Sequence, residues 1–290
     1  MRWQQGQSDQ DIEDRRGETS EGGGGGGFQV GGAHLGIGGL ILVGVLSVVF
    51  RQNFFALFDQ APAGAPAQAQ QGVPAAASPL ENERYEFVKF VLNDVQDTWT
   101  RLLPASGVPY QRAKLVLFRD AIQSACGTAD SASGPFYCPG DAKVYIDLSF
   151  YDELKQRFGA SGDFAQAYVI AHEIGHHVQD LLGIERQVRQ LQRGRPDQQN
   201  VMSVRMELQA DCLAGVWGHS TAERKILETG DVESGLNAAA AIGDDRIQRM
   251  AGRGIHPESF THGSSAQRVE WFKRGLDQGT VAACNTFSAQ

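Results

Sequence analysis

Two histidines and a glutamate near the middle of the chain have the spacing of a catalytic metal site. His172, Glu173 and His176 form the pattern His-Glu-x-x-His. On an α-helix, residues four positions apart lie one turn above each other, so both imidazoles can face one metal ion. Glu173 is turned away from that line and can act as a general base beside the metal. The pattern predicts a zinc-dependent hydrolase; the alternative is a chance pair of histidines on a buried helix face.

A third protein ligand is required, because a catalytic zinc ion has three of them and one open position. Glu207 and Asp211 lie four residues apart in a segment that is otherwise rich in apolar residues. Acidic side chains are costly in such surroundings unless a cation or a metal compensates their charge. We therefore expect Glu207 to bind zinc and Asp211 to accept a hydrogen bond from a ligand histidine. The alternative is an ordinary solvated pair of acids.

These two segments carry a resemblance to known peptidases. HEIGHH at 172–177, followed by ELQADCLAG at 207–215, resembles the glutamate-zincins. The chain is more closely similar to the neutral zinc metallopeptidase family of bacterial membrane-anchored proteins, which DRRG at 14–17, VYIDL at 144–148 and THGS at 261–264 also resemble. The resemblance implies a zincin-like fold, one bound zinc ion, and a peptide or protein as substrate.

The chemistry expected of such a site is hydrolysis by a zinc-activated water, with Glu173 taking its proton. The oxyanion that forms needs a further donor, and His262 is the candidate, with Tyr145 as the alternative. His177 is expected to face solvent or to support the ligands. The strand from Val144 to Leu148 is expected to be a sheet edge along which an extended peptide can lie.

The elements that must position these residues are mainly helices. Asp163 with Gln166 predicts the start of the helix that carries the histidines, and Gly183 predicts its end. Further helices are predicted from Ser78, over about 152–158 and 203–228, and from Ser264 onward. Strands are predicted over 114–118 and 143–148. The sequence therefore predicts an α+β domain over 78–290, mainly helical with a small sheet.

The four cysteines, Cys126, Cys138, Cys212 and Cys284, lack the CxxC spacing of structural zinc sites. An even number in a chain with an export signal favours disulfides. Cys126 and Cys138 bracket a short polar loop, and Cys212 and Cys284 would then tie the end of the chain to the core. The alternative is four reduced thiols.

The first third of the chain differs in composition from the domain. Residues 1–29 are polar and then glycine-rich, which predicts a flexible cytoplasmic tail. Residues 30–50 are apolar and long enough to predict one transmembrane helix, and a cleaved signal peptide or a buried helix are the alternatives. Residues 51–77, rich in Ala, Pro and Gln, predict a linker. The arginines before the apolar segment favour an extracytoplasmic domain on the bacterial cytoplasmic membrane.

Composition limits the classes of function. The net charge of −8 and the pI near 5.4 argue against a nucleic-acid partner, because no broad basic surface is implied. The leading hypothesis is a membrane-anchored zinc endopeptidase. A catalytically silent, zinc-stabilised binding module of the cell envelope is the alternative from another class, and an amidase acting on cell-wall peptides would share the same site.

Overall fold

The computed structural model describes residues 1–18, 28–30, 33–35 and 77–287. Within these residues the domain is α+β, as predicted. Its helices are α1 (Pro79–Leu102), α2 (Phe150–Gln156), α3 (Asp163–Leu181), α4 (Ile184–Gly194), α5 (Gln199–Glu223), α6 (Asp231–Ala241), α7 (Asp244–Met250) and α8 (Ser265–Gln278). The strands are β1 (Ile12–Asp14), β2 (Phe28–Val30), β3 (Ala33–Leu35), β4 (Lys114–Phe118), β5 (Ala121–Ser124), β6 (Gly127–Asp130), β7 (Phe136–Cys138) and β8 (Lys143–Asp147).

The chain divides into two compact units. One comprises Met1–Glu18 and Ala76–Gln290, and the other comprises Thr19–Ala75. The first unit contains a four-stranded sheet in the order β1-β4-β8-β7, together with a β5-β6 hairpin. Strands β1, β4 and β8 are parallel, and β7 is antiparallel to β8. The second unit contains the antiparallel pair β2-β3.

The sheet separates two apolar clusters because successive side chains of a strand point to opposite faces. On β8, Val144 and Ile146 join the main core with the helices, whereas Tyr145 packs with Val116 and Phe118 in a second cluster. The Tyr145 hydroxyl donates to Asp141 at 2.7 Å. Tyr145 thus packs in the second cluster with its hydroxyl held by Asp141, which favours His262 over Tyr145 as the oxyanion donor.

The predicted edge strand is also wrong. Strand β8, which covers most of Val144–Leu148, lies between β4 and β7, and β7 occupies the sheet edge. The register pairs Phe136 with Tyr145 and Cys138 with Lys143. Three residues between Pro135 and Pro139 are too few to show an alternating pattern, so β7 cannot be predicted from the sequence.

Helix α1 begins as predicted. The Ser78 side chain accepts from the Glu81 backbone N–H, and the Glu81 carboxylate accepts from the Ser78 backbone N–H. Helix α3 begins at Asp163, but the predicted capping box is absent: Gly162 is the N-cap and makes no side-chain bond. The Asp163 carboxylate instead accepts from the Trp3 indole N–H at 3.1 Å. A long-range partner therefore replaces the local one.

Glycines allow the three site-bearing helices to lie close together. A Cβ at Gly175 of α3 would lie 3.0 Å from the Ala210 carbonyl oxygen on α5. A Cβ at Gly275 of α8 would lie 1.9 Å from the Cys212 carbonyl oxygen, also on α5. Such approach of helix backbones is possible only where a residue has no side chain. Helix α5 therefore lies between α3 and α8 at backbone contact distance.

The prediction of a flexible tail is wrong for Met1–Glu18. Strand β1 adds to the sheet with Ile12 opposite Leu115, and Arg112 holds the Asp11 carboxylate at 2.5 Å. Lys143 donates to both carboxylate oxygens of Glu13 at 2.8 Å. The polar residues that predicted mobility form ion pairs with the domain. Their partners are distant in sequence, so local sequence patterns do not reveal them.

The predicted transmembrane helix falls mostly outside the described residues. Of residues 30–50, only Val30 and Ala33–Leu35 are described, and they lie in β2 and β3. The remainder of that segment, and residues 51–76 of the predicted linker, lie outside the described part of the chain. Across the residues that the structure does describe, no helix combines the length and the apolar character needed to cross a membrane.

Both predicted disulfides are confirmed. Cys126 bonds to Cys138, which joins the β5-β6 hairpin to β7, and Cys212 bonds to Cys284, which joins the C-terminal 3-10 turn to α5. The described residues contain no free cysteine. One disulfide therefore lies beside the edge strand, and the other follows Asp211 directly.

Candidate metal centre

The three predicted ligands come together between α3 and α5. His172, His176 and Glu207 each offer an atom within 4.8 Å of the others. The Nε2 atom of His172 lies 3.2 Å from one carboxylate oxygen of Glu207, and the Nε2 atom of His176 lies 3.5 Å from the other. Two imidazole nitrogens and a carboxylate oxygen therefore converge on one point.

The ring of His172 is held on its other side by Asp211. The Nδ1 atom of His172 donates to Asp211 Oδ1 at 2.9 Å, and the Tyr168 hydroxyl donates to the same oxygen. Asp211 and Tyr168 are completely buried. The predicted supporting contact is thus present, because a bond at Nδ1 fixes the tautomer that leaves Nε2 with a free electron pair.

Arg268 completes this buried network, and sequence reasoning missed it. Its guanidinium donates to both carboxylate oxygens of Asp211 at 2.9 Å, and it is 1% exposed. Arg268 lies one turn before Phe272 on the apolar face of α8. A charged residue on such a face is costly without a partner, and this was the available sign of its role.

The electrostatics of the network follow from burial and from this arginine. Burial alone would raise the pKa of Asp211, but Arg268 and His172 outweigh it and lower that pKa. Burial also opposes protonation of His172, but the hydrogen bonds and charges of Asp211 and Glu207 raise the pKa of its ring to about 10. Without metal, the position between His172 and Glu207 therefore holds a proton.

His176 is held by an amide rather than a carboxylate. Its Nδ1 atom lies 2.9 Å from Oε1 of Gln179, which is completely buried on the same helix. An amide oxygen only accepts hydrogen bonds, so Nδ1 is the donor. As in His172, Nε2 is left facing Glu207. Gln179 was not identified from the sequence.

Glu173 lies beside the ligand cluster at the wall of a cleft. The residue is 7% exposed, and its carboxylate accepts a hydrogen bond from the Tyr137 backbone N–H. Burial raises the pKa of Glu173, although His172 and His176 act in the opposite direction. A carboxylate with a raised pKa is a better proton acceptor, which is the property a general base requires.

The edge strand is tied to α3 through Tyr137. The Tyr137 hydroxyl lies 3.0 Å from an oxygen of Asp180 and 3.1 Å from Nδ1 of His177. The Nε2 atom of His177 donates to the Gln111 carbonyl at 2.6 Å, and His177 is 2% exposed. His177 therefore does not face solvent. It supports the strand that contacts Glu173.

The cleft above the ligands has a volume of about 520 Å³ and is lined mainly by apolar side chains. Both ligand histidines, Glu173 and Glu207 lie in its wall. Its aromatic and aliphatic lining comes from β7, α2, α3, α4 and the region before α8: Phe136, Tyr137, Phe150, Val169, Val188, Ile242 and Ile247. This combination of an apolar wall and a few converging polar groups is typical of a ligand site.

His262 lies in the same cleft, as the proposed oxyanion role requires. Its Nδ1 atom lies 3.2 Å from Oδ1 of Asp244, and Oδ2 of Asp244 accepts the backbone N–H groups of Thr261, His262 and Gly263 at 2.7 to 3.0 Å. The Asp244 hydrogen bond raises the pKa of His262. Asp244, which was not identified from the sequence, thus fixes the ring and favours its donor form.

The residues fit a zinc ion by their chemistry. Zinc prefers imidazole nitrogen and carboxylate oxygen, and a catalytic site takes three such ligands. The two Nδ1 atoms already have partners, so each histidine offers only Nε2 to a metal. A chance pair of buried histidines would not require both rings to be held in this way.

Comparison with known proteins places this site in a family. The family described as "Putative neutral zinc metallopeptidase" matches residues 1–287. The chain belongs to this family. The match includes Met1–Glu18, in agreement with the packing of that segment onto the domain. Family membership therefore confirms the resemblance drawn from the motifs and supports a zinc hydrolase as the broad class.

The chain is similar to proteins of Escherichia coli and Mycobacterium tuberculosis. The chain is 51% identical over 292 residues to the uncharacterized protein YpfJ of Escherichia coli, covering 99% of each chain. It is 44% identical over 208 residues to an uncharacterized protein of Mycobacterium tuberculosis, covering 68% of each chain. No solved structure matches the chain.

Proposed function

We propose that the protein is a zinc-dependent endopeptidase that holds one zinc ion between His172, His176 and Glu207. The observation that carries the proposal is the buried Glu173 carboxylate beside three converging ligand atoms in an apolar cleft. When bound there, zinc would lower the pKa of a water molecule to about 7 and polarise the scissile carbonyl. The remaining steps belong to the side chains of the protein.

Glu173 takes the proton of the attacking water and passes it to the nitrogen of the leaving amine. Its raised pKa suits both transfers. His262 donates a hydrogen bond to the oxyanion, with its ring held by Asp244. Asp211 and Gln179 keep the ligand rings in position during the reaction. Each of these side chains either lies in the cleft or contacts a side chain that lies in the cleft.

The proposed substrate is an extended peptide segment. Strand β7 has β8 on one side, and its residues Phe136 and Tyr137 line the cleft. A peptide that adds to this edge by main-chain hydrogen bonds would place a peptide bond near Glu173, and its apolar side chains would contact the cleft wall. This edge replaces the one predicted from the sequence.

We also propose that the domain works outside the cytoplasm. Its two disulfides favour an oxidising compartment. Membrane attachment through residues 30–50 stays a prediction, and the packing of Met1–Glu18 constrains it. A single crossing would place β1 and β4 on opposite sides of the membrane, yet they pair in one sheet. We therefore place Met1–Glu18 on the same side as the domain.

The substitution Glu173→Gln tests the catalytic proposal. The amide has the size of the carboxylate but cannot accept the proton of water, so the variant should keep its zinc and lose hydrolysis of an unfolded protein by at least about 100-fold. Glu223→Gln, an exposed glutamate at the end of α5, is the matched control and should retain full activity.

Chelator-sensitive hydrolysis by the unaltered protein is required in the same assay. A zinc-loaded protein that cleaves nothing would favour the silent binding module. A Glu173→Gln variant as active as the unaltered protein would overturn the assignment of the general base.

A further inference from the structure

Two buried glutamines, Gln179 and Gln209, form a series of hydrogen bonds that runs from His176 to the C-terminal part of the core. Gln179 accepts from His176 and donates through its NH₂ group to the Met206 carbonyl at 2.8 Å and to Oε1 of Gln209 at 3.0 Å. Gln209 in turn donates to the Cys284 carbonyl at 2.8 Å. These hydrogen bonds therefore join α3, α5 and the C-terminal 3-10 turn.

The orientation of both amides is set by the carbonyls at their NH₂ ends. Carbonyl oxygens accept only, so Gln179 must turn its NH₂ towards Met206 and its oxygen towards His176. In the same way, Cys284 requires the NH₂ of Gln209, whose oxygen then faces Gln179. An exchanged oxygen and nitrogen in either amide would leave a donor facing a donor or an acceptor facing an acceptor. The hydrogen at Nδ1 of His176 is thus specified by main-chain groups.

The last acceptor in this series of hydrogen bonds, the Cys284 carbonyl, is held in place by a disulfide. Cys284 is 1% exposed and is bonded to Cys212, which follows Asp211 on α5. The disulfide thereby holds the carbonyl that orients Gln209 against the helix that carries Glu207. Burial of two amides in an apolar core is costly unless all their partners are present, and these partners are present.

We propose that Gln179 and Gln209 are positioning residues for zinc: they fix the tautomer and orientation of His176, and the Cys212–Cys284 disulfide anchors them. The inference rests on the proposed zinc site. It assigns to the two histidines separate supports, a charged one through Asp211 and Arg268 for His172 and a neutral one for His176. A simpler reading, in which the amides only satisfy two carbonyls, predicts a loss of stability without a loss of zinc affinity.

The substitution Gln179→Leu removes the acceptor for His176. We expect zinc to bind about 10- to 100-fold more weakly, as is typical when a support of a ligand histidine is lost. Gln179→Glu restores an acceptor for Nδ1 but loses the donor to the Met206 carbonyl and to Gln209, so it should recover part of the affinity at a cost in stability. Zinc affinity is measured by competition with a chromophoric chelator, after circular dichroism has shown that each variant is folded.

The matched control is Gln96→Leu. Gln96 is a completely buried glutamine of α1 that accepts from the Ala113 backbone N–H and from the Tyr110 hydroxyl. Its loss should lower thermal stability to a similar degree and leave the zinc dissociation constant unchanged. Gln209→Met tests the next link without touching the residue that contacts His176, and should weaken zinc binding by a smaller factor.

Cobalt substitution gives a readout that does not depend on activity. The visible spectrum of bound Co²⁺ reports ligand geometry, so it should change in Gln179→Leu and stay unchanged in Gln96→Leu. Removal of the disulfide by Cys212→Ser with Cys284→Ser should weaken zinc binding, as Gln209→Met should.

Two results would overturn the inference separately from the proposed function. If the unaltered protein binds zinc and cleaves peptides while Gln179→Leu binds zinc equally well, the glutamines are not positioning residues and the peptidase proposal stands. If Gln96→Leu weakens zinc binding as much as Gln179→Leu, the effect comes from stability alone. If the unaltered protein binds no zinc, both proposals fail.

Discussion

Asp211→Asn is the substitution whose effects follow most directly from the structure. The change removes one negative charge from a completely buried position that Arg268, Tyr168 and His172 all contact. Arg268, 1% exposed, then loses its nearest compensating charge and keeps only the Glu207 carboxylate at 4.0 Å, and loss of one partner of a buried ion pair costs about 3–5 kcal/mol. Oδ1 of Asp211 accepts from His172 and Tyr168, and Oδ2 accepts from Nε of Arg268, so the single oxygen of an asparagine can serve only one of these sides. An amide that turns its oxygen towards the arginine faces His172 with a donor, so zinc should bind about 10- to 100-fold more weakly.

Urea denaturation of the metal-free protein measures the first effect, and chelator competition measures the second. Asp277→Asn is the matched control: Asp277 pairs with Lys273, and the two side chains are 56% and 57% exposed, so water can replace the lost contact. Its cost should be about 1 kcal/mol or less. Asp211→Asn with Arg268→Met should recover most of the stability but not the zinc affinity. A loss of under about 1 kcal/mol in Asp211→Asn would refute the claim that Arg268 depends on this charge.

Four further outcomes are expected. The pKa of His172 is raised to about 10 in the metal-free protein, so its ring is protonated at pH 7.5 and zinc binding should release about one proton from it. Calorimetry in buffers of different ionisation enthalpy measures this release. If no proton is released, the raised pKa of His172 is contradicted. The same shift stabilises the metal-free protein below pH 6.5, and this contribution is lost as the pH rises towards 10. His262→Gln should lower kcat by about 10- to 1000-fold with zinc content unchanged, and an unchanged kcat would exclude an oxyanion role. Deletion of Met1–Glu18 should lower the melting temperature of the domain by several degrees, and an unchanged melting temperature would show that β1 adds nothing to stability.

The sequence specified the site where its residues are close along one helix. His172 and His176, like Glu207 and Asp211, are each four positions apart, and helical periodicity places each pair on one face. The apolar surroundings of Glu207 then indicated that it had a buried partner. The need for a third ligand suggested that α3 and α5 face each other. Gly175 allows the backbones of these two helices to approach closely enough.

The residues that the sequence did not reveal act through long-range contacts. Gln179 resembles any polar helix residue until Met206 and Gln209 are seen beside it. The segment that contains β1 has a polar sequence, and its acids Asp11 and Glu13 pair with Arg112 and Lys143, about a hundred residues away or more. Local patterns contain no information about such partners, so composition alone predicts a flexible tail for a segment that packs on the domain.

Metal analysis with X-ray absorption at the zinc edge tests whether His172, His176 and Glu207 hold one zinc ion. We expect about one zinc per chain, with two imidazole nitrogens and a carboxylate oxygen at about 2.0–2.2 Å and no sulfur ligand. Glu207→Ala and His176→Ala should each lose most of the metal. A protein without zinc, or one whose zinc content survives both substitutions, would contradict the claim.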